Sequence, residues 1–160
     1  MAALNENYIS MMAESLKKKI EVLEAIVELN GKQNEVLSKE PFDLDEFDAT
    51  VHKKAEQIDD LELLDDGFAA LFARVKEELE GRRDEYADEI KEMQQLIRNI
   101  TELSAKVETG EKRNKALADK QFSMLKKEVK EAKRSSQMAS KYYKSMSQVD
   151  FTPQFVDKKN

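Results

Sequence analysis

The spacing of apolar side chains constrains the fold of this chain more than any other feature. Apolar residues recur three and four positions apart in three long segments. Residues at this spacing share one face of an α-helix, so each segment predicts a long amphipathic helix that packs against other helices. The residues concerned are Ala13, Leu16, Ile20, Leu23 and Val27, continued by Asn30, Asn34 and Leu37; then Leu44, Phe47, Val51, Ile58, Leu61, Phe68, Phe72, Val75 and Leu79, interrupted by Lys54 and Asp65; and finally Tyr86, Ile90, Met93, Ile97, Ile100, Ser104 and Val107.

The composition favours long helices with a narrow core. Charged residues make up 38 % and hydrophobic residues 40 % of the 160 residues, with four Gly, two Pro and no Trp, which is typical of coiled coils. Disorder is the alternative for so charged a chain, but a disordered segment has no reason to keep its apolar residues in register. We therefore predict an all-α fold, an elongated antiparallel bundle or coiled-coil hairpin of long helices with a short extended C-terminal tail.

Local signals predict where these helices begin and end. Pro41 prevents continuation of the first helix, and Asp43 suits an N-cap, with Glu46 three residues later as in a capping box. Gly81 predicts either a turn or a glycine tolerated within a longer rod, and Gly110 is a second possible stop.

These signals predict one helical domain over residues 1–160. We expect a first helix over 5–39, a second over 43–80, and a C-terminal helix over 84–146 that is either continuous or broken near residue 110. Residues 147–160 form the predicted tail, since helical spacing is lost there and Pro153 interrupts a short apolar stretch.

The net charge of −6 conceals a strong asymmetry along the chain. Residues 40–110 hold 9 Lys/Arg against 21 Asp/Glu, whereas residues 111–160 hold 13 against 6. Such a distribution indicates pairing between neighbouring helices, an acidic partner or nucleic acid. The sequence pI near 5.1 counts against a dedicated nucleic-acid binder, so we expect no nucleic acid among its partners.

The residues that enzymes use are scarce in this sequence. There is no cysteine, and the single histidine, His52, lacks the partners of a metal site and is expected to face solvent. No Gly-rich phosphate loop or nucleophile motif occurs, and helix capping explains the acidic run after Pro41 better than a calcium loop does. We therefore expect no catalytic residue, cofactor or metal, and no enzymatic activity.

The sequence predicts neither a targeting signal nor a membrane-spanning segment. The N-terminal residues lack a basic stretch followed by an apolar core, so no secretory signal is predicted. No apolar run approaches the roughly 18 residues that a membrane-spanning helix needs. We expect a cytoplasmic protein without membrane insertion.

Three stretches of the sequence are similar to one known family. They are residues 20–37 followed by an acidic break and a helix start at 43–47, the segment from Glu102-Leu103 to Asn114-Lys-Ala-Leu117, and the end from residues 139–146 to residues 155–159. In their order and spacing the chain resembles the FlgN-type flagellar export chaperones.

The resemblance implies a cytoplasmic chaperone of the hook–filament junction (hook-associated) proteins. Such a chaperone binds the C-terminal amphipathic segment of its substrate, prevents premature assembly and delivers the substrate to the flagellar type III export apparatus. The last helix suits a helix-in-groove interface because its thinner stripe predicts weaker internal packing. The alternative is that these residues form the bundle core. The candidate substrate-binding residues are Asn114, Leu117, Phe122, Leu125, Val129, Tyr142 and Tyr143.

Two other functions fit the same pattern of helices. A structural coiled-coil protein would cover its stripe with a second copy of itself, so a homodimer is a possible assembly. A FliT-like chaperone of the filament cap shares the plan of helical hairpins, although such chaperones are usually shorter.

Overall fold

The computed structural model describes residues 2–148, with side chains described from Tyr8 to Met146. It contains three helices: α1 (Ala2–Ser38), α2 (Leu44–Gly81) and α3 (Ala87–Gln148). The prediction of an all-α helical fold is confirmed for this part of the chain. Residues 147 and 148, assigned by sequence to the tail, belong to α3, and the rest of the predicted tail lies outside the described residues.

The connection between α1 and α2 follows the predicted signals. The chain leaves the helical conformation before Pro41, and the side chain of Asp43 caps α2. Its Oδ1 accepts hydrogen bonds from the backbone N–H groups of Asp45 at 2.9 Å and Glu46 at 3.2 Å. Two donors that the first helical turn leaves without intrahelical partners are thereby satisfied. The Glu46 carboxylate accepts from Lys39 Nζ at 3.0 Å.

Gly81 ends a helix, whereas Gly67 and Gly110 lie within continuous helices. Helix α2 continues through Gly67 and ends at Gly81, where residues 82–86 form the turn into α3. In that turn the Arg82 guanidinium bonds the Glu85 carboxylate, with a distance of 2.9 Å from its Nε. Helix α3 continues without interruption through Gly110, so the structure has the continuous form of the two predicted alternatives.

The chain divides into two compact units. Unit 1 comprises residues 1–118 and contains α1, α2 and the first part of α3; unit 2 comprises residues 119–160, of which the structure describes the second part of α3. The prediction of one domain over the whole chain stays a prediction.

Within unit 1, α1 and α2 are antiparallel. Ser15 Oγ donates to the carbonyl oxygen of Leu64 at 3.3 Å, while Gln33 Nε2, farther along α1, donates to Thr50 Oγ1 at 2.9 Å. Advancing along α1 therefore means going back along α2, which is the arrangement that a short connection between two helices favours.

Helix α3 runs in the same direction as α1 within this unit. Lys17 Nζ lies 3.3 Å from Glu92 Oε1, and Asn30 Nδ2 donates to the carbonyl oxygen of Val107 at 3.4 Å. Unit 1 is therefore an up–down–up bundle of three helices.

The core of unit 1 draws most of its buried side chains from α1. Buried residues recur along α1 at helical spacing because α1 packs on both other helices. The predicted stripe residues Ala13, Val27 and Asn34 are only half-buried, and the residue directly before each of them is buried instead. Ile20 is also half-buried. Burying a large aliphatic side chain contributes roughly 1.5–3 kcal/mol, so α1 is the element on which the bundle depends. The buried hydrophobic residues are Ile9, Met12, Leu16, Leu23, Ile26 and Leu37 of α1, with Val75, Tyr86, Met93 and Ile100.

A group of polar side chains is buried near one end of this core. Asn114 Nδ2 donates to the carbonyl oxygen of Asn30 at 2.8 Å and to Gln33 Oε1 at 3.1 Å, and Lys54 Nζ donates to the same Gln33 oxygen at 3.1 Å. The Lys54 ammonium also pairs with the Glu111 carboxylate. We call these residues, together with Thr50, the polar layer; it connects all three helices.

Charged pairs at the surface also join the helices of unit 1. Lys19 Nζ lies 2.6 Å from Asp65 Oδ1, which gives a partner to an acidic residue that the sequence showed only as an interruption of the stripe. A hydrogen bond from Lys17 to Glu92 is the main cause that raises the pKa of Lys17. Both lysines belong to α1, so these two pairs do not involve the basic residues of 111–160.

Candidate functional site

Unit 2 presents a helix whose side chains are almost entirely exposed. Every residue from Lys126 to Met146 is exposed, and only Gln121 and Leu125 of the described residues in this unit are half-buried. The segment includes large apolar side chains, among them Val129 with 66 % and Tyr143 with 71 % of its surface exposed. Exposed apolar surface of this kind is a common feature of sites that bind another protein.

Eight residues of unit 2, most of them apolar and exposed, follow a heptad repeat. Their positions advance by alternating steps of three and four residues, which is the spacing of the seam between two paired helices. Large side chains stand at both ends of the series and small ones in its middle. We call this series the heptad stripe; it consists of Phe122, Leu125, Val129, Ala132, Ser136, Ala139, Tyr143 and Met146.

A tyrosine pair widens the stripe near its C-terminal end. The rings of Tyr142 and Tyr143 are 5.8 Å apart between centroids and inclined by 70°, an edge-to-face arrangement. Since successive residues are about 100° apart round a helix, Tyr142 lies beside the stripe and not on it. Met138 is four residues before Tyr142 and shares its side of the helix.

The structure divides the seven predicted binding residues between the two units. Phe122, Leu125, Val129 and Tyr143 lie on the heptad stripe, with Tyr142 at its edge. Leu117 is half-buried in unit 1.

Asn114 is also placed in unit 1. It is 98 % buried there as a member of the polar layer, and its Oδ1 lies 3.5 Å from Asn34 Nδ2. The binding role of all seven residues stays a prediction.

Sequence reasoning did not single out the methionines of unit 2. Met124, Met138 and Met146 are all exposed, and methionine is a flexible side chain that adapts to partners of different shape. The spacing of four residues from Met138 to Tyr142 and again to Met146 was the available signal.

A second exposed apolar surface lies within unit 1, between α2 and α3. It is a hollow of about 660 Å³ with Met12 of α1 among its lining residues. Phe68 and Phe72 of α2 line one side, with nearly parallel rings 6.4 Å apart, and Ile97 of α3 lines the other. Phe72 and Ile97 remain exposed although both belong to predicted core stripes. We call this surface the α2–α3 hollow.

Possible metal ligands are not grouped together within the described part of the chain. No group of three or more His, Cys, Asp or Glu in that part is placed to hold a metal ion. His52 is exposed, with its Nδ1 2.8 Å from the carbonyl oxygen of Asp48. None of the helices that the structure describes is long and apolar enough to cross a membrane.

Comparison with known proteins adds one finding. The family model described as FlgN protein matches residues 1–149, which include all three helices. No curated protein and no solved structure matches the chain. FlgN proteins form a family of chaperones that act in flagellar assembly and export. A match over this much of the sequence shows that the chain belongs to the FlgN family of flagellar export chaperones.

Proposed function

We propose that this protein is a cytoplasmic chaperone that binds the C-terminal amphipathic segment of a hook-associated protein through the heptad stripe of unit 2. It keeps that segment from assembling prematurely and delivers the bound protein to the flagellar export apparatus. Membership of the FlgN family supports the class of partner. The observation that carries the choice of surface is the regular apolar series exposed on unit 2.

The physical basis of the proposal is the pairing of two amphipathic helices. A partner segment with apolar residues at the same three- and four-residue spacing would bury both stripes at once, and burial contributes about 25 cal/mol for each Å² of apolar surface. The partner's stripe is then unavailable for assembly for as long as the complex lasts. Binding therefore explains both protection and delivery with one interface.

The proposal assigns Asn114 to the stability of unit 1 and not to partner binding. Its amide group is occupied by hydrogen bonds to Asn30 and Gln33, and its side chain is buried. A buried polar group whose hydrogen-bond partners lie within its own bundle stabilises that bundle and is not available to contact a bound protein. Leu117, half-buried in the same unit, is given the same role.

The proposal is tested by placing a charge on the stripe. Leu125→Asp should lower the affinity for a purified hook-associated protein at least tenfold, because an unpaired carboxylate would be buried in the interface. Ser123→Asp is the matched control: it adds the same charge about 160° away round the helix, and affinity should stay within about twofold. Isothermal titration calorimetry measures both, and equal affinity for the two variants would reject the stripe as the binding surface.

Two other outcomes would place the function elsewhere. If Phe72→Asp abolishes binding while Leu125→Asp does not, the partner occupies the α2–α3 hollow. If the wild-type chain sediments as a stable dimer that binds no hook-associated protein, and Leu125→Asp makes it a monomer, the stripe serves self-association. The second result would favour the structural coiled-coil function.

A further inference from the structure

The charges of unit 2 are sorted by helix face. Residues 119–148 hold eight Lys/Arg and three Asp/Glu. In the heptad frame, Lys127, Arg134 and Lys141 lie on the side opposite the stripe, a position that remains solvated when two helices pair. Lys126 and Lys133 lie next to the stripe, directly after its residues Leu125 and Ala132.

Lys126 and Lys133 form one edge of the heptad stripe. They are seven residues apart, so they lie on the same side of the helix along the seam. Their ammonium groups make no ion pair or hydrogen bond with any residue that the structure describes. The other edge of the stripe differs in character, with Glu128 and Tyr142 at the corresponding positions. In paired helices, residues at these two edges determine which helix binds and in which orientation.

We propose that the segment bound by the heptad stripe is an amphipathic helix with an acidic edge, whose Asp or Glu side chains face Lys126 and Lys133. This inference rests on the proposed function and specifies the chemistry of the partner. The carboxylates of the partner neutralise two cations beside an apolar seam, where partial desolvation strengthens the attraction. The same pairing excludes helices with a basic edge, because like charges would then meet.

The shape of the stripe also restricts the sizes of the apolar side chains that the same partner can carry. Its middle is formed by Ala132, Ser136 and Ala139, while Phe122 and Tyr143 stand near its ends. Large apolar side chains of the partner fit opposite the small middle, and smaller ones fit opposite the two ends, because paired helices fill each other's gaps. The partner is thus a helix with its bulk at the centre and its acidic residues along one edge.

A helix fits this surface better than an anionic membrane or a nucleic acid. The seven-residue spacing of the edge lysines corresponds to the repeat of a helix pair. Glu128 and Glu131 stand on the other side of the stripe, where a continuous anionic surface would be repelled. Neither an extended phosphate backbone nor a lipid surface requires a single basic edge.

Two double variants with the same change of charge test the proposal. K126E/K133E reverses the edge, and K127E/R134E reverses two cations on the solvated side. The probe is a synthetic peptide of the C-terminal helical segment of a hook-associated protein from the same flagellar system, titrated against the full chain by fluorescence anisotropy. We expect roughly tenfold weaker binding for K126E/K133E and at most about twofold for K127E/R134E, with the difference shrinking as salt is raised.

A peptide with the opposite charge along its edge provides the confirming experiment. A peptide whose edge Asp and Glu residues are replaced by Lys should bind the wild-type chain more weakly and recover affinity for K126E/K133E. Equal losses for the two double variants, or no loss for either, would overturn the acidic edge. Binding of the wild-type chain to anionic vesicles or single-stranded DNA that exceeds its binding to the peptide would overturn it as well.

Failure of this inference is distinguishable from failure of the proposed function. If Leu125→Asp abolishes peptide binding while K126E/K133E leaves it unchanged, the stripe binds the partner without an acidic edge. If Leu125→Asp has no effect on peptide binding, the stripe is not the site and the proposed function itself fails. Circular dichroism of each variant verifies that the helices remain folded.

Discussion

At the scale of single residues, the polar layer is the most specific feature of unit 1. The buried amides of Gln33 and Asn114 and the ammonium of Lys54 satisfy one another across three helices. Each satisfied hydrogen bond of this kind stabilises the bundle by about 0.5–1.5 kcal/mol, and a shifted helix would leave the buried groups without partners, so they also fix the register of the bundle. Asn30 Oδ1 is the one buried side-chain oxygen or nitrogen without a hydrogen bond among the described residues.

The pair of Lys54 and Glu111 leads to an asymmetric prediction. Glu111→Ala leaves a buried ammonium without its counter-ion and should lower the free energy of unfolding by about 1–2 kcal/mol. Lys54→Met removes the buried charge, keeps the volume and frees a partly exposed carboxylate, so it should cost less than about 1 kcal/mol. Urea unfolding followed by circular dichroism measures both. A larger loss for Lys54→Met would contradict this account of the layer.

Two glycines within helices should respond in opposite ways to alanine. At Gly31 an added Cβ meets nothing within 4 Å, so Gly31→Ala should raise the free energy of unfolding by about 0.5–1 kcal/mol. At Gly110 the same Cβ would lie 2.9 Å from Asn30 Nδ2, and Gly110→Ala should be destabilising by about 1 kcal/mol or more. Thermal unfolding distinguishes them; a gain in stability at both sites would show that Asn30 moves aside freely.

At the scale of elements, the helices differ in what stabilises them: core packing for α1 and an N-cap for α2. Helix α1 is held by core side chains from Ile9 to Leu37. Helix α2 has an exposed outer side and begins after the N-cap residue Asp43, which the sequence predicts. In unit 2, helix α3 has few described core contacts, and its order depends on helix-forming residues such as Ala, Lys, Glu and Met.

Removal of the α2 cap should have a measurable cost. Asp43→Ala deprives the backbone N–H groups of Asp45 and Glu46 of their acceptor and should lower the free energy of unfolding by about 1 kcal/mol. Asp43→Asn keeps an acceptor oxygen and should retain most of that stability. Chemical denaturation of the two variants provides the comparison, and equal losses would assign the effect to the charge of Asp43 and not to capping.

At the scale of the whole molecule, the two units have different surfaces. Unit 1 has a buried core and interhelical hydrogen bonds, whereas unit 2 presents exposed apolar residues in a regular series. This division is the one expected if stability resides in the first unit and partner binding in the second.

A shortened chain tests this division. A chain that ends at Ala118 keeps every buried core residue of unit 1, so it should unfold cooperatively, with a midpoint close to that of the full chain. It should lose binding to the hook-associated protein, because the heptad stripe is absent. A chain that ends at Gln148 is the control and should bind as the full chain does. Retained binding by the shorter chain would move the interface into unit 1.

Much of the fold could be predicted because helices are local structures. Apolar spacing predicted the three helical segments, Pro41 and Asp43 predicted the connection of α1 to α2, and charge counts showed the basic character of the last segment. The effect of glycine was harder to predict. A single glycine weakens a helix by only about 1 kcal/mol, and neighbouring packing outweighs that cost in one place and not in another.

The sequence by itself determined which faces are apolar, since that depends only on residue order and the geometry of one helix. Only the tertiary structure decided which of those faces are covered. Ile100 and Val129 show the difference: both are apolar residues of α3, yet the first is buried in unit 1 and the second is exposed in unit 2. Burial depends on residues distant in sequence, here the neighbouring helices α1 and α2, and no pattern within one segment records their positions.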